Sequence, residues 1–518
     1  MQFDILIVGA GMSAGPVIEH FATVAPETRI AILDRGVREN LRERRSIRFA
    51  REGTFREADQ WWTCGLPGGA ANLWYGQLSR FQGPDFLELP EDRNGPTEFW
   101  PIGQPELTPY YDSIERRLRP YCADHLLRGR NAPADAGLVT PRNRVSTFEK
   151  MTFDLLRTQG WDPYCGATCL GGHGWSSAPV DPVTLHGRDP ASANSHMKNW
   201  VFRTAATVRA MDNVSYFEDR SVEKIIPAPG GYRLECINRS GCRSDFFSNR
   251  IVLASGVTST VPLLATIPDI DRTLLGRKFT LTNELTAYID TDIPRDSVPD
   301  QQIGRFANVS SRRLYAPSDF HPHLGGKISL YDARSFEGDA RHAEKLRRLR
   351  RLDRSIGTLS PDRVTLKVSF KGTSEPSENK FIETDPTGRP VLHYKPTGQD
   401  EALIEYVERQ VRGLAENLPG ARLLGLSDNV RGADVSSAHL HGGAVLGTDP
   451  RTSLLTRDCE VRAAPGVFVV DASFMPGSGG TNSSHTILAN SLRVATVVAS
   501  RMAHEKTSAD AQGGTPRR

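Results

Sequence analysis

Hydrophobic positions fall in short runs separated by glycine-rich turns. Residues 3–8 read Phe-Asp-Ile-Leu-Ile-Val and stop at a glycine. A short apolar run rich in β-branched residues and bounded in this way predicts a buried parallel strand. Apolar residues then recur at helical spacing, at Val17, Ile18 and Phe21, and a second apolar strand over 29–33 ends at Asp34. Residues 251–265 repeat the theme of strand, glycine and helix, while residues 214–256 alternate strands and turns through Tyr216, Val222 and Tyr232, as an antiparallel insert would. Val-Thr-Leu-Lys-Val-Ser-Phe at 364–370 alternates cleanly and predicts a strand with one buried face. Residues 399–417 carry the period of an amphipathic helix.

Composition narrows the class. The chain has 518 residues, 38% hydrophobic and 24% charged, which suits a globular protein of two intertwined domains. No run of ~18 apolar residues predicts a membrane span. The N-terminus passes straight into a strand, without a basic leader, which predicts a cytoplasmic location. A net charge of +3 does not call for nucleic acid. The basic clusters at 42–51 and 345–354 read as solvated helix faces, with a phosphate or polyanion site as the alternative. The seven cysteines are scattered, and Cys165 and Cys169 form neither a redox pair nor half of a zinc site. No histidine or cysteine cluster has metal-ligand spacing, and the HExxH and GxSxG patterns are absent.

Gly9-Ala10-Gly11-Met12-Ser13-Ala14 is a GxGxxA loop between strand and helix. Gly9 permits the tight turn, Gly11 lets pyrophosphate reach backbone N–H groups, and Ala14 lets helix and strand pack closely. The helix N-terminus favours the phosphate charge, and Asp34 stands where a carboxylate accepts ribose hydroxyls. The unit predicts dinucleotide binding and by itself leaves FAD and NAD both open. A pyridine-nucleotide disulfide reductase would also need a second such unit and a redox cysteine pair, and neither is present.

Three further landmarks follow. Residues 64–76 read Cys-Gly-Leu-Pro-Gly-Gly-Ala-Ala-Asn-Leu-Trp-Tyr-Gly, residues 98–115 include Glu-Phe-Trp-Pro-Ile and Leu-Thr-Pro-Tyr-Tyr-Asp, and residues 466–476 read Gly-Val-Phe-Val-Val-Asp-Ala-Ser-Phe-Met-Pro. Gly-Ser-Gly-Gly-Thr-Asn-Ser-Ser-His at 477–485 comes next. Together with the βαβ unit, these landmarks resemble the glucose–methanol–choline (GMC) oxidoreductase family, nearest its pyranose oxidase and glycoside oxidase branch. The resemblance implies FAD across the N-terminal unit, at Gly9, Gly11, Ala14 and Asp34. It implies that Gly68, Gly69, Asn72 and Trp74 run along the isoalloxazine. Val222, Ala254 and Gly256 would complete the cradle, and Asp471, Ala472 and Thr481 would close it from the C-terminal end. Members of that branch that bind FAD covalently do so through a histidine beside the loop tryptophan; here Leu73 occupies that place, which argues for non-covalent FAD.

The resemblance also implies a histidine base and a partner about forty residues later. His439 with Asn482 fits that spacing, and His441 competes with His439. Asn482 could instead cap the last helix. His485, one turn further on, could face the same pocket or sit in the core. The implied reaction is hydride transfer from a sugar, glycoside or aminocyclitol hydroxyl to FAD, in the setting of glycosylated or aminoglycoside metabolites. A non-redox FAD-containing lyase and a silent FAD-binding protein of the same fold stay open, as do the electron acceptor (oxygen or another) and the oligomeric state.

The expected fold class is α/β: a Rossmann-like FAD-binding domain over 1–95, 200–285 and 430–503, with a discontinuous α+β substrate domain over 96–199 and 286–429 built on an antiparallel sheet. Residues 504–518 are polar and read as a disordered tail.

Overall fold

The structure is a computed structural model. It describes residues 1–36, 46–51, 54–59, 69, 76–86, 100–118, 120–122, 124–127, 140–141, 145–168, 211–298, 309–315, 317, 319–321, 324–336, 359–431 and 439–513. A five-stranded parallel sheet runs in the order Val467–Val469, Ile251–Leu253, Ile5–Val8, Ile30–Leu33, Val214–Phe217. Both faces of its central strands are covered, which is why Ile5–Val8 and Ile30–Leu33 read as unbroken apolar runs rather than alternations. The helix Ala14–Val24 covers one face through Val17, Ile18 and Phe21, all fully buried. The helix Val257–Leu264 follows the neighbouring strand, as the strand–glycine–helix pattern predicted. The insert is a three-stranded antiparallel sheet over Ser221–Ala228, Gly231–Ile237 and Arg243–Ser248.

A second, six-stranded antiparallel sheet runs Arg422–Asp428, Asn283–Pro294, Arg363–Gly372, Gly326–Asp332, Val309–Ser311, Pro163–Cys165. In Arg363–Gly372, Val364, Leu366, Val368 and Phe370 are fully buried. They pack against Leu403, Ile404, Val407 and Val411 of the amphipathic helix Gly398–Glu416. That helix opens with a capping box: the Thr397 side chain accepts from the Asp400 amide, and Asp400 returns the bond to the Thr397 amide. The architecture is thus the expected one, a Rossmann-like unit beside an antiparallel sheet.

Three segments differ from expectation. Residues 380–394, grouped by sequence with the antiparallel sheet, form a hairpin of Lys380–Thr384 and Pro390–Tyr394 that pairs in parallel with Ser46–Arg51. It sends Ile382, Leu392 and Tyr394 into the core of the parallel sheet, because that is where its apolar face finds cover. The helix Gln104–Leu118 likewise buries Leu107 and Tyr111 in that core and packs Ile114 and Leu118 against Leu488. The third is the polar tail. The last helix, Ser484–Gly513, continues ten residues past the expected end at 503. Ion pairs of Glu505 with Arg250 and of Lys506 with Glu27 (2.7 Å) tie the extension to the body. No helix among the described residues is long and apolar enough to cross a membrane.

Candidate active site

The first turn after Ile5–Val8 is built as the motif requires. Gly9 has φ +91°, and a Cβ there would meet Ser255 Cα at 2.8 Å and the Ala254 carbonyl at 2.9 Å. The turn is therefore pressed against the end of the neighbouring strand, which the Ala254 amide joins by donating to the Val8 carbonyl at 2.9 Å. Ala14 is fully buried in the first helical turn. Gly69 crosses above Gly11, close enough that a Cβ on it would lie 3.5 Å from Gly11 Cα. Gly68, Asn72 and Trp74 lie outside the described residues.

Asp34 closes the second strand, almost wholly buried. Its Oδ1 accepts from the Gly36 amide at 3.0 Å and its Oδ2 from the Tyr216 hydroxyl at 3.1 Å. Burial raises its carboxyl pKa, and those two donors oppose the shift. A carboxylate with two accepted bonds keeps lone pairs for further hydroxyls. The Arg220 amide donates to the Asp34 carbonyl at 2.8 Å, which brings the strand bearing Val222 beside this end of the sheet.

Asp471 plays a different part. Its Oδ2 accepts from the Gly256 amide at 2.9 Å and the Thr260 hydroxyl at 2.5 Å; its Oδ1 accepts from the Ser473 amide at 3.0 Å and hydroxyl at 2.5 Å. The carboxylate is occupied by the chain itself and locks the 254–260 turn to the 471–474 turn. The Ala472 carbonyl in turn accepts from the Gly442 amide at 3.0 Å, next to His441.

The two C-terminal segments proposed to carry the chemistry meet. His441 is fully buried, and its Nε2 lies 2.8 Å from Ser483 Oγ. His439 is half-buried, and its ring centroid lies 6.4 Å from that of His441. Burial pushes the His441 pKa well below its ordinary value, with the neighbouring His439 adding to the effect. Asn482 is half-buried, yet its Oδ1 is sealed from solvent and has no hydrogen-bond partner among the described residues. The last helix begins at Ser484, so Asn482 stands outside the N-cap position and its amide oxygen makes no cap. Thr481 Oγ1 is buried in the same condition. His485, by contrast, is fully buried in the core, edge-on to Tyr111 at 4.7 Å and 3.5 Å from Glu115 Oε1.

One organising residue escaped the sequence reading. Asp85, buried in the short turn Gly83–Phe86, accepts from the Gly480 amide at 2.7 Å and from the Tyr315 hydroxyl. Its partners lie 395 and 230 positions away, so no local pattern marks it.

The pressed glycine turn, the buried acid with spare lone pairs and the helix start beside them fit FAD: Gly9, Gly11 and Ala14 would admit its pyrophosphate and Asp34 its ribose. When bound, FAD supplies the hydride acceptor. The chain's own segments 439–441 and 481–483 meet through His441 and Ser483.

Comparison with known proteins agrees. A family model described as GMC oxidoreductase matches residues 378–491. Paromamine 6'-oxidase of Streptomyces fradiae is 26% identical over 543 residues, covering 98% of this chain and 93% of that protein. The 6'''-hydroxyparomomycin C oxidase of Streptomyces lividus is 26% identical over 550 residues, with the same coverage. The crystal structure of pyridoxine 4-oxidase from Mesorbium loti superposes with a TM-score of 0.62 at 16% identity, covering 95% of this chain and 98% of that one. The chain thus matches the GMC oxidoreductase model over 378–491 and is similar to two oxidases along nearly its whole length, and its activity is that of an FAD-dependent oxidoreductase acting on CH–OH groups.

Proposed function

We propose that this protein oxidises a hydroxyl of a sugar-type substrate bearing amines, an amino sugar or aminocyclitol glycoside, with His439 taking the hydroxyl proton and Asn482 holding its oxygen. The observation that carries this reading is the juncture of 439–441 with 481–483 through His441 and Ser483, where the buried Asn482 Oδ1 has no partner among the described residues and His439 is half-buried two positions from His441. A buried polar atom without a partner costs free energy, and a second donor on the substrate, a neighbouring hydroxyl or an ammonium, would remove that cost at Asn482 Oδ1 while Asn482 Nδ2 donates to the reacting oxygen. His439 suits the base because imidazole titrates near neutrality and this residue is half-buried, with its Nδ1 sealed from solvent, unlike the fully buried His441. His441 is committed to Ser483 and, held neutral by burial, orients the segment. FAD is held by non-covalent contacts.

The substrate class draws support from the paromamine and hydroxyparomomycin oxidases, which match over nearly the whole chain. Their activity as oxidases likewise favours oxygen as acceptor. The test is anaerobic absorbance of the purified protein mixed in turn with paromamine, neutral glycosides and simple alcohols. Bleaching of the flavin band by paromamine, and its return on admitting air, is the expected result. A flavin that no alcohol reduces would sink the proposal.

A further inference from the structure

The loop that delivers Thr481 and Asn482 is fastened from three directions. The Ser374 amide donates to Ser478 Oγ at 2.8 Å, and the Lys327 amide donates to the Gly480 carbonyl at 2.8 Å. Both come from the side of the antiparallel sheet. The third tether runs the other way: the Gly480 amide donates to Asp85 Oδ1 at 2.7 Å. Asp85 Oδ2 accepts from the Gln82 amide at 2.7 Å and from the Tyr315 hydroxyl. Capping its own turn explains only the Gln82 bond; the other two partners are remote in sequence.

The loop has no slack between these holds. Gly479 has φ +65°, and a side chain on it would strike the Phe81 ring at 2.4 Å. A side chain at Gly480 would strike the Tyr315 ring at 2.7 Å. The turn is thus wedged between one aromatic from the flavin side and one from the sheet side. Asp85 is the group that both sides bind. Amide and hydroxyl bonds to a carboxylate are charge-assisted and short, so they fix position more firmly than neutral ones.

We propose that Asp85 is a positioning residue for the proton-transfer pair, joining the Tyr315 hydroxyl to the backbone of Gly480 and so setting where Asn482 stands. The inference rests on the reading of Asn482 as the holder of the substrate oxygen. Displacing such a group by ~1 Å is enough to slow a reaction by roughly 100-fold. Asp85→Asn keeps an oxygen for the Gly480 amide but not a second acceptor. Asp85→Ala removes both, and Tyr315→Phe removes the sheet-side bond alone.

The test compares the full-length, FAD-loaded protein with these three variants. Backbone amide exchange is read over 477–483, with 5–33 as the control. Anaerobic flavin reduction by paromamine gives the limiting rate and the half-saturating concentration. In Asp85→Ala, exchange over 477–483 should rise at least ~10-fold with 5–33 unchanged. Its limiting rate should fall about 100-fold while half-saturation moves less than about threefold. Asp85→Asn and Tyr315→Phe should fall between it and the unaltered protein. Unchanged exchange over 477–483 in Asp85→Ala, or an equal rise over 5–33, overturns the proposal. If Asp85→Ala does not fold, Tyr315→Phe decides on the same two criteria. Asn482→Ala with an undiminished reduction rate would instead sink the reading of Asn482 and leave the exchange result standing.

Discussion

At the scale of single residues, the proposal gives the two histidines different tasks. His439→Ala should leave FAD bound and slow flavin reduction by at least ~100-fold, the loss expected of a general base; stopped-flow absorbance measures it. His441 should show itself in stability instead. Its folded pKa lies below the ordinary 6.5, so on acidification the unfolded chain takes up the proton first. Stability from this residue is therefore complete above about pH 6.5 and falls below it, by at most ~1.4 kcal/mol per pH unit. Thermal unfolding between pH 5 and 8 should lose part of its acid dependence in His441→Asn. Sequence leaves the choice between these histidines open because they are two positions apart; the bond from His441 to Ser483, which makes their surroundings different, spans 42 positions. His485 was equally ambiguous, since helical spacing from Asn482 says nothing about Tyr111 and Glu115, which fill the space around it.

Elements were legible wherever pattern and neighbours are local. The βαβ unit lies within 34 consecutive residues, and burial on both faces makes its strands uniformly apolar. The strand Arg363–Gly372 and the helix Gly398–Glu416 were legible from periods of two and 3.6. The hairpin over 380–394 was not assigned to its sheet, because nothing in its sequence names Ser46–Arg51 as the partner. Turns held by one side chain were also opaque. The resemblance marks Asp471 as part of the flavin site, but nothing local in the sequence shows that its oxygens accept from four donors of the chain. Asp471→Ala would orphan the Gly256 and Ser473 amides, each costing ~1–3 kcal/mol. Denaturant unfolding should show a loss of about 2–6 kcal/mol, with Asp471→Asn milder.

Across the whole molecule, one buried ion pair joins the two sheets' cores. Lys380 begins the hairpin of the parallel-sheet core, while Asp400 starts the helix that packs on the antiparallel sheet. Lys380 Nζ also donates to Ser374 Oγ at 3.0 Å and to the Glu375 carbonyl at 2.5 Å, and Asn283 Nδ2 donates to Asp400 Oδ1 at 2.7 Å. Lys380→Met would strand a buried carboxylate, and should cost ~3–5 kcal/mol in equilibrium unfolding. Adding Asp400→Asn, which retains an acceptor for the capping bond, should restore part of that loss. A double variant no more stable than the single one would show that the pair's charge is not what joins the cores.

The parallel sheet takes its central strand from residues 5–8 and its edge strand from residues 467–469. The Asp471 lock that pins the 254–260 turn arrives later still. On the ribosome, the glycine turn after residue 8 must therefore wait for the strand at 467–469 to be made. At ~5–20 residues per second that delay is tens of seconds. During it the first strand has apolar faces and no finished sheet to cover them. Vitamin capture then becomes a late event in the life of the nascent protein, and a chain cut short before residue 467 should emerge without its colour.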